Sequence, residues 1–336
     1  MAVRVRDYNK VQPETMSELP ETTQIPQQLS GQRLDVALAE MFPQFSRNRL
    51  KQWVQDGQIL LDGEVMKPKA KVFAGQWLSL KIEPGDENES CEPEDIPLNI
   101  VHQDDALIVI NKPAGLVVHP AVGHRSGTLQ NALLFHDAAL SRVPRAGIVH
   151  RLDKDTTGLM VVARTLQAHT YLVDQLQQRL ITREYQALVH GVMTGGGEID
   201  QPIGRHPHDR LRMAVREGGR EALTHYRLLQ RFRCHSHIQL KLDSGRTHQI
   251  RVHMQHLHHA VVGDPVYAGR MRLPPDASPE FIAALRDFKR QALHAWRLSL
   301  QHPDTGEALS WEALIPADME ALRLQMLADL EQHGDA

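Results

Sequence analysis

The spacing of apolar residues divides the chain into segments with different predicted structures. Residues 1–29 are polar and mixed without an apolar period, which predicts a flexible tail. Leu34, Leu38 and Met41 then recur at helical spacing, and the following RNRLKQWVQDG segment predicts a second helix ending at its glycine. Next, ILLDGEV is typical of two strands joined by a tight Asp-Gly turn. Residues 30–82 are therefore predicted to form a small domain of two helices and a hairpin.

An acidic segment separates this small domain from a longer region. Residues 83–95 contain seven acidic side chains and no basic one, which predicts a linker over residues 83–97. In residues 98–325, strand-like runs alternate irregularly with a few helices, which predicts an α+β domain with a mixed, largely antiparallel sheet. From Leu314 onwards, the spacing of Met319, Leu322, Met326 and Leu330 predicts an amphipathic closing helix, and residues 326–336 are set apart from the catalytic domain as a C-terminal tail. The predicted strands are 107–111, 147–150, 159–163, 185–190, 237–242 and 296–301, and the predicted helices are 129–134, 167–180, 246–257 and 279–290.

The distribution of charge changes the expected class of partner. The whole chain has a formal net charge of -3, which by itself disfavours a nucleic-acid binder. Outside the acidic linker and the acidic ends, however, residues 96–311 contain 22 arginines and only 4 lysines. Guanidinium groups bind phosphate in a forked geometry and stack on bases, so this bias favours an RNA-binding surface.

Cysteine, histidine and hydropathy patterns argue against several classes of protein. The two cysteines, Cys91 and Cys234, lie far apart, which disfavours a disulfide framework and suits a reducing cytoplasm. No apolar run approaches the roughly 18 residues that a membrane span needs, and no secretory signal is seen. The 20 histidines form no HExxH motif, so no metal site is predicted. A cytoplasmic protein without membrane contact is expected.

The most informative stretch is RAGIVHRLDKDTTGLMVVA, in which two apolar runs flank a polar turn. That pattern presents Arg151, Asp153 and Asp155 at the edge of a sheet. An aspartate there is often only the acceptor of an Asx turn, and a calcium loop fails because Arg164 stands where the bidentate glutamate is needed. A retaining glycosidase pair also fits poorly, because two carboxylates two residues apart would lie roughly 6–7 Å apart. Residue chemistry alone leaves a catalytic and a structural role for Asp153 equally open.

Several separated motifs favour a catalytic role for Asp153 over a purely structural one. HRLDKDTTGLMVVA resembles the signature of the RluA-type pseudouridine synthases, as do INKPAGLVVHP at 110–120, LDSGRTHQIRVHM at 242–254 and VGDPVYAG at 262–269. In the small domain, SRNRLKQWVQDGQILLDGEV resembles the alpha-L RNA-binding module. Together these likenesses cover nearly the whole chain from Gly31, and they imply an RNA-binding domain followed by a pseudouridine synthase domain.

The resemblance implies the chemistry and its residues. The family's catalytic aspartate corresponds to Asp153, and the reaction breaks the N1–C1′ bond of uridine, rotates the uracil and joins C5 to C1′. No cofactor or metal is implied, because the reaction is an isomerisation. The carboxylate could add to the sugar or the base, or remove the C2′ proton, and the resemblance does not choose among these routes.

Supporting roles follow from the same resemblance. Arg246 is expected to pair with the catalytic aspartate, Tyr185 to stack on the target uracil, and Ile250 to form an apolar wall. Arg151 is expected to insert where the flipped base has left. Lys112 is expected at the rim of the pocket, where it either touches phosphate or has a structural role. The residues expected to dock the small domain on RNA are Arg47, Arg49 and Lys51.

The resemblance implies large-subunit (23S) ribosomal RNA as the substrate, in particular the loop of helix 69, and leaves open whether naked RNA or an assembling 50S subunit is modified. A monomer is expected. The rival hypothesis is a non-catalytic RNA-binding ribosome assembly factor, which would use the same basic surface. The set of Asp153, Tyr185 and Arg246 discriminates between them, because a pure binder has no reason to keep these three residues together.

Overall fold

The computed structural model describes residues 22–42, 47–81, 91–120, 126–209, 212–271 and 273–334, with only the backbone of Asn48 and Arg49. The chain divides into two compact units, residues 1–85 and residues 86–336. Each has its own apolar core, as expected for two domains.

The small unit packs two helices against a three-stranded antiparallel sheet of order β1–β3–β2. Its elements are β1 (Thr22–Gln24), α1 (Leu34–Met41), α2 (Arg47–Gln55), β2 (Ile59–Leu61) and β3 (Trp77–Leu80). The predicted tail is too long, because residues 22–29 belong to this unit. Ile25 and Leu29 are buried in its core. Two isolated apolar residues show no period, so the sequence pattern does not reveal that they pack.

The large unit is built on a nine-stranded mixed sheet within the described residues. Its strands are β4 (Ile100–Gln103), β5 (Leu107–Lys112), β6 (Thr157–Ala163), β7 (Thr182–His190), β8 (Gly197–Asp200), β11 (Leu223–Arg231), β12 (His235–Leu242), β13 (Leu293–Gln301) and β14 (Ala308–Glu312). Their order in the sheet is β4–β5–β6–β13–β7–β12–β11–β8, with β14 paired to β13. All neighbouring pairs are antiparallel except β6 and β13, so the predicted α+β class with a largely antiparallel sheet is confirmed.

Helices and a separate hairpin complete the large unit. The helices are α3 (Leu129–His136), α4 (Leu166–Gln177), α5 (Gln249–His256), α6 (Pro279–Asp287) and α7 (Ala317–His333), and the hairpin pairs β9 (Ile203–Arg205) with β10 (Met213–Val215). Strand β6 is buried along its whole length because apolar clusters cover both of its faces. This double burial explains its continuous apolar run.

The predicted bounds of the linker and of the C-terminal tail are partly wrong. The predicted closing helix is confirmed as α7, which runs to His333 and is anchored by the fully buried Met326, so residues 326–333 belong to this helix and not to a tail. Of the expected linker, residues 82–90 lie outside the described part, but residues 91–97 pack on the large unit. Cys91 is buried, and the side-chain amide of Asn131 donates to the carbonyl of Glu92 at 2.7 Å. Acidic side chains can point to solvent while their backbone is held.

The segment before the catalytic motif was predicted as a strand over 147–150 and is not one. It follows a 3-10 turn, Pro144–Gly147, in which Arg145 and Ala146 have φ of 54° and 51°. Only Ile148 makes an isolated bridge, to Val162 on β6. A left-handed backbone cannot continue a ladder, so residues 149–156 leave the sheet and form the loop that carries the motif aspartate.

Candidate active site

Asp153 lies in this loop, immediately before β6. The loop closes in a turn in which the amide of Thr156 donates to the carbonyl of Asp153 at 3.1 Å. Strand β6 begins at Thr157, and Gly158 has a φ of 116°; a Cβ there would lie 2.2 Å from the carbonyl oxygen of Ala295 on β13. Only glycine permits this approach of two parallel strands. The glycine of the motif therefore fixes where the loop leaves the sheet and where Asp153 is presented.

A cavity of about 890 Å³ opens at this loop. Asp153 faces it with a side chain that is 17% exposed. The cavity is also lined by residues of α5, of β7 and of the segment that joins β12 to α5. Its size falls within the range of small-molecule sites, and it can accept a nucleotide unit.

The guanidinium of Arg251 orients the carboxylate of Asp153. Nη1 of Arg251, on α5, donates to Oδ2 of Asp153 at 2.9 Å. The same guanidinium forks onto Asp264, with Nε donating to Oδ2 at 2.6 Å and Nη2 to Oδ1 at 2.9 Å. Burial alone would lower the pKa of Arg251, but its hydrogen bonds and charge contacts with Asp264 and Asp153 raise it. Arg251 is therefore a fixed cation held between two carboxylates.

The predicted partner of Asp153 was the wrong arginine. Nε of Arg246 donates to the carbonyl of Glu221 at 3.0 Å, and this side chain lines the cavity without pairing with Asp153. The prediction failed because α5 begins later than expected. Its start was predicted at residue 246, but the helix begins at Gln249. Arg246 is thus in the preceding loop, whereas Arg251 is on the helix. The GRTHQIR motif contains both arginines, and the aspartate of VGDPVYAG was the available signal for a second carboxylate partner.

His248 was missed by the sequence reasoning. It stands directly before α5 with a left-handed φ of 57°, which is uncommon for a residue other than glycine. Its Nδ1 lies 2.8 Å from Oη of Tyr267, and its Nε2 lies 3.9 Å from Oδ1 of Asp153. Burial lowers the pKa of His248, partly opposed by the charge of Asp153, so the neutral imidazole is favoured.

The phenol of Tyr267 links His248 to the backbone of β10. The amide of Met213, on β10, donates to Oη of Tyr267 at 2.9 Å. The same Oη lies within hydrogen-bond distance of Nδ1 of the imidazole, whose Nε2 is the ring nitrogen nearer to Asp153. A chain of contacts therefore joins the β9–β10 hairpin to the carboxylate.

The apolar side of the cavity contains the two residues predicted for it. Tyr185 on β7 is 5% exposed and Ile250 on α5 is 3% exposed, and both line the cavity with Asp153. Burial raises the pKa of the Tyr185 phenol, so it stays protonated at neutral pH. Other apolar side chains in the lining are Ile148, Leu152, Leu242 and Leu293.

Lys112 does not lie at the rim of this cavity. It is 1% exposed, and its Nζ donates to the carbonyls of Pro113 at 2.8 Å, Leu116 at 3.0 Å and Lys154 at 2.8 Å. Burial lowers its pKa to about 8. Of the two roles left open for Lys112, phosphate contact or a structural role, these contacts favour the structural one, because all three ammonium protons are used inside the protein. Lys112 instead ties the NKPAG turn to the loop that carries Asp153.

The charge of the cavity is strongly positive. Its lining includes two acids, Asp153 and Asp243. Its arginines are Arg145, Arg151, Arg179, Arg183, Arg246 and Arg251. Arg151, next but one to the aspartate, is exposed there. Such a lining attracts an anionic polymer and disfavours an anionic small metabolite with only one carboxylate, since most cations would stay unpaired.

The small unit presents a second basic surface. Nη2 of Arg47 donates to Oδ2 of Asp35 at 2.9 Å, yet the arginine side chain remains 52% exposed. Lys51 is exposed, whereas the side chain of Arg49 lies outside the described residues. The exposed lysines that follow the β2 turn are Lys67, Lys69 and Lys71. Arg47 and Lys51 are thus accessible to a phosphate backbone.

The described part of the chain contains neither a metal-ligand cluster nor a membrane-spanning helix. Across those residues, no group of three or more His, Cys, Asp or Glu side chains is arranged to hold a metal ion. No helix there has the length and apolar character needed to span a bilayer.

Comparison with protein families identifies both units. Residues 106–256 match the model of the RNA pseudouridylate synthase family, and residues 32–78 match the S4 domain. The chain is similar to proteins called ribosomal large subunit pseudouridine synthase D in several bacteria. It is 52% identical to that of Pasteurella multocida over 95% of this chain and 99% of the relative. It is 55% identical to that of Escherichia coli K12 over 91% and 94%, and 54% identical to that of Pseudomonas aeruginosa over 93% and 96%.

Solved structures show the same fold. The human RNA pseudouridylate synthase domain containing 1 matches with a TM-score of 0.53 and 24% identity, over 75% of this chain and 97% of its own. The human domain containing 4 protein matches with a TM-score of 0.50 and 26% identity, over 67% and 93%. The likeness in fold thus accompanies the much higher sequence identity with the bacterial relatives.

Proposed function

The chain belongs to the RNA pseudouridylate synthase family as an enzyme that forms pseudouridine in large-subunit (23S) ribosomal RNA, and we propose that Asp153 is its catalytic carboxylate and the loop of helix 69 its target. One observation carries the residue assignment. Asp153 is held by Arg251 at 2.9 Å inside an arginine-lined cavity that also contains Tyr185 and Ile250. A carboxylate aimed into a nucleotide-sized cavity of opposite charge suits chemistry on RNA.

In this proposal, the two oxygens of the Asp153 carboxylate have different tasks. Oδ2 is engaged by Arg251, whereas Oδ1 is 3.9 Å from Nε2 of His248 and is free to approach a substrate atom. In the reaction, the N1–C1′ bond breaks, the uracil rotates, and C5 bonds to C1′. C5 then loses its proton while N1 gains one, so atoms and electrons balance without a redox group. Asp153 acts either as the nucleophile or as the base that takes the C2′ proton.

Side chains around the carboxylate hold the substrate. The target uridine must leave its stack, at a cost of a few kcal/mol. The exposed guanidinium of Arg151 takes the place of the flipped base, where it can both stack and donate hydrogen bonds. Tyr185 stacks on the uracil, with Ile250 as the apolar wall beside it. We propose that the phenol of Tyr185 also relays the C5 proton, passing its own proton to solvent as it takes the one from C5, so that Tyr185 ends protonated while N1 takes a proton from solvent.

The S4 domain would dock the enzyme on the RNA. Arg47, Lys51 and the exposed lysines after β2 provide phosphate contacts that carry no base information. Affinity is therefore expected to fall with added salt, as counterions compete for the backbone. We further propose that the enzyme acts as a monomer in the cytoplasm, on an assembling 50S subunit in which helix 69 is still accessible.

The test is pseudouridine mapping of large-subunit RNA treated with the wild-type protein or with Asp153→Asn. This substitution keeps the shape of the side chain and removes its charge. We expect the wild type to mark the helix 69 loop and the variant to bind RNA without modifying it. The matched control is Asp105→Asn, which makes the same chemical change at a fully exposed site and should modify RNA as the wild type does.

Two outcomes would contradict the proposal in different ways. Modification by Asp153→Asn at the wild-type rate would remove the aspartate from the chemistry while leaving the family activity intact. Tight binding by the wild type without modification of any uridine would favour the non-catalytic assembly factor. Running the reaction on naked RNA and on assembling subunits in parallel distinguishes the two substrate forms.

A further inference from the structure

Arg183, on β7, differs from Arg246 and Arg251 in the same cavity because it is buried and has no hydrogen-bond partner in the part of the protein that the structure describes. Arg183 lines the same cavity as Asp153, is 9% exposed, and has a buried Nε with no hydrogen-bond partner. Among the described residues, its guanidinium makes neither a hydrogen bond nor an ion pair. By contrast, Arg251 pairs with two carboxylates, and Arg246 donates to a backbone carbonyl. Arg183 is thus a buried cation without a partner inside the protein.

Such a cation is unfavourable by itself. Removing a guanidinium from water sacrifices its hydration, and nothing in the protein replaces the lost hydrogen bonds. Buried polar groups are nearly always satisfied, so an exception at a cavity wall indicates that a ligand supplies the partner. The cost is then stored in the free enzyme and recovered when the substrate binds.

The position of Arg183 specifies which part of the substrate it meets. It precedes Tyr185 by two residues on the same strand, so both side chains project from the same face of the sheet. Its Nη1 lies so close to Gly245 that a Cβ there would be only 2.9 Å away. The guanidinium therefore sits between the tyrosine and the loop that carries Arg246, beside the proposed place of the uracil.

The charge of Arg183 specifies the chemistry of its partner. A neutral uracil carbonyl could accept a hydrogen bond but would leave the positive charge uncompensated. A phosphodiester oxygen accepts a hydrogen bond and also carries the negative charge that compensates the guanidinium. The forked guanidinium matches the geometry of a phosphate. The local acids are engaged elsewhere, because Glu184 accepts from Gln239 and Asp243 lies within hydrogen-bond distance of His225. An anion from the substrate is the remaining partner.

We propose that Arg183 is a phosphodiester-binding residue of the catalytic cavity and grips a phosphate that flanks the target uridine while Tyr185 faces the base. This inference rests on the proposed placement of the uracil against Tyr185. Arg183 fixes the sugar–phosphate backbone so that the C1′ atom stays near Asp153 when the base is detached and rotated. It therefore contributes both to binding and to the rate.

The test is a double-mutant cycle between the protein and the RNA. Dissociation constants are measured for wild type and Arg183→Gln with three helix 69 stem–loops, one with all its phosphates intact and two with a neutral methylphosphonate on the 5′ or the 3′ side of the target. The ribose before each replaced phosphate is 2′-deoxy in all three. We expect one methylphosphonate to weaken wild-type binding at least about tenfold, as for a lost hydrogen bond to a charged group. Arg183→Gln should bind all three RNAs equally weakly.

A stability measurement separates this role from a structural one. Because the free enzyme buries an unpartnered cation, Arg183→Met should unfold at the same temperature as the wild type or a higher one while binding RNA more weakly. The control is Arg227→Gln, an exposed arginine on β11 that donates to Gln239 and should leave binding unchanged. Equal sensitivity of wild type and Arg183→Gln to both methylphosphonates would overturn the proposal. So would a fall in unfolding temperature that accounts for the lost binding.

Failure of this inference is distinguishable from failure of the proposed function. Because the cycle measures binding, it can succeed even if the wild type modifies no uridine. Conversely, pseudouridine mapping can succeed with Asp153 as the catalyst while Arg183→Gln keeps full affinity and full kcat/KM. That second result would leave the enzyme assignment standing and remove Arg183 from phosphate recognition.

Discussion

Each unit contains a buried aspartate paired with arginine, but the two clusters are built in opposite ways. In the small unit, Asp35 receives hydrogen bonds from two arginines, Arg33 and Arg47, which are 46% and 52% exposed. In the large unit, the cation is buried instead of exposed, since the side chain of Arg251 is 6% exposed and is shared by Asp153 and Asp264. One cluster has an acid between two cations, and the other has a cation between two acids.

This inversion matches two different tasks. Around Asp35, both arginines can reach phosphate while the acid holds α1 and α2 together, so the surface keeps its positive charge. Around Arg251, the fully buried Asp264 fixes the guanidinium, and Asp153 keeps one oxygen towards the cavity. Under the proposed function, the first arrangement suits RNA binding and the second suits catalysis, because a reacting carboxylate needs a fixed orientation as well as a charge partner.

The largest expected effect comes from removing the shared cation. Arg251→Gln leaves two carboxylates facing each other without compensation, so it should lower the free energy of unfolding by about 3–5 kcal/mol. It should also lower kcat at least about a hundredfold, because a small misplacement of the reacting group has that effect. Chemical denaturation and single-turnover kinetics measure the two quantities.

The matched control for this change is Arg297→Gln. Arg297 is 41% exposed and lies 3.6 Å from Glu312 on the surface. Surface ion pairs contribute roughly 0–1 kcal/mol, so this variant should be nearly as stable and as active as the wild type. If Arg251→Gln were as stable and as active as Arg297→Gln, the pairing of Asp153 with a buried cation would not be needed for catalysis.

An intermediate effect is expected from Tyr267→Phe. The ring remains to pack under Arg251, whose Cζ lies 5.0 Å from the ring centre, but the hydroxyl that links Met213 to His248 is lost. We expect kcat to fall by up to about tenfold, the value of one hydrogen bond, with little change in KM. An unchanged kcat would show that His248 and the β9–β10 hairpin do not help to position Asp153.

The smallest effect should come from Asp35→Asn, and it should depend on pH. Burial alone would raise the pKa of Asp35, but the hydrogen bonds and charges of Arg33 and Arg47 lower it. A lowered pKa in the folded state means that stability is gained above the ordinary value of 3.8 and lost as the pH falls through the lowered value. At neutral pH we expect a loss of about 1 kcal/mol, since both arginine partners are half exposed.

Hydrogen exchange of the α1 and α2 amides in the full chain measures this effect. The variant should exchange faster than the wild type at neutral pH, and the difference should shrink in acid once Asp35 of the wild type is protonated. A difference that persists unchanged in acid would show that the side chain acts through packing instead of charge.

Much of the fold could be predicted from local pattern. The two units, most central strands of the large sheet, the helices and the position of Asp153 before a buried strand all follow from apolar periodicity and motif. Tyr185 and Ile250 line one cavity, as the family resemblance implied, whereas periodicity by itself predicts only that both are buried. The strand expected at 147–150 failed because positive φ angles at Arg145 and Ala146 leave no trace in hydropathy.

The identity of the paired arginine depends on how the chain packs. The amino-acid sequence indicates that a basic motif follows β12 and that an aspartate precedes β6. It could not decide between Arg246 and Arg251, because the choice depends on α5 beginning at Gln249 and on Asp264 accepting the same guanidinium. Likewise, only packing shows that Lys112 is sealed among carbonyls and that Arg183 is buried without a partner. Periodicity encodes which face of an element is buried, whereas an ion pair between residues 98 positions apart depends on how the elements are brought together.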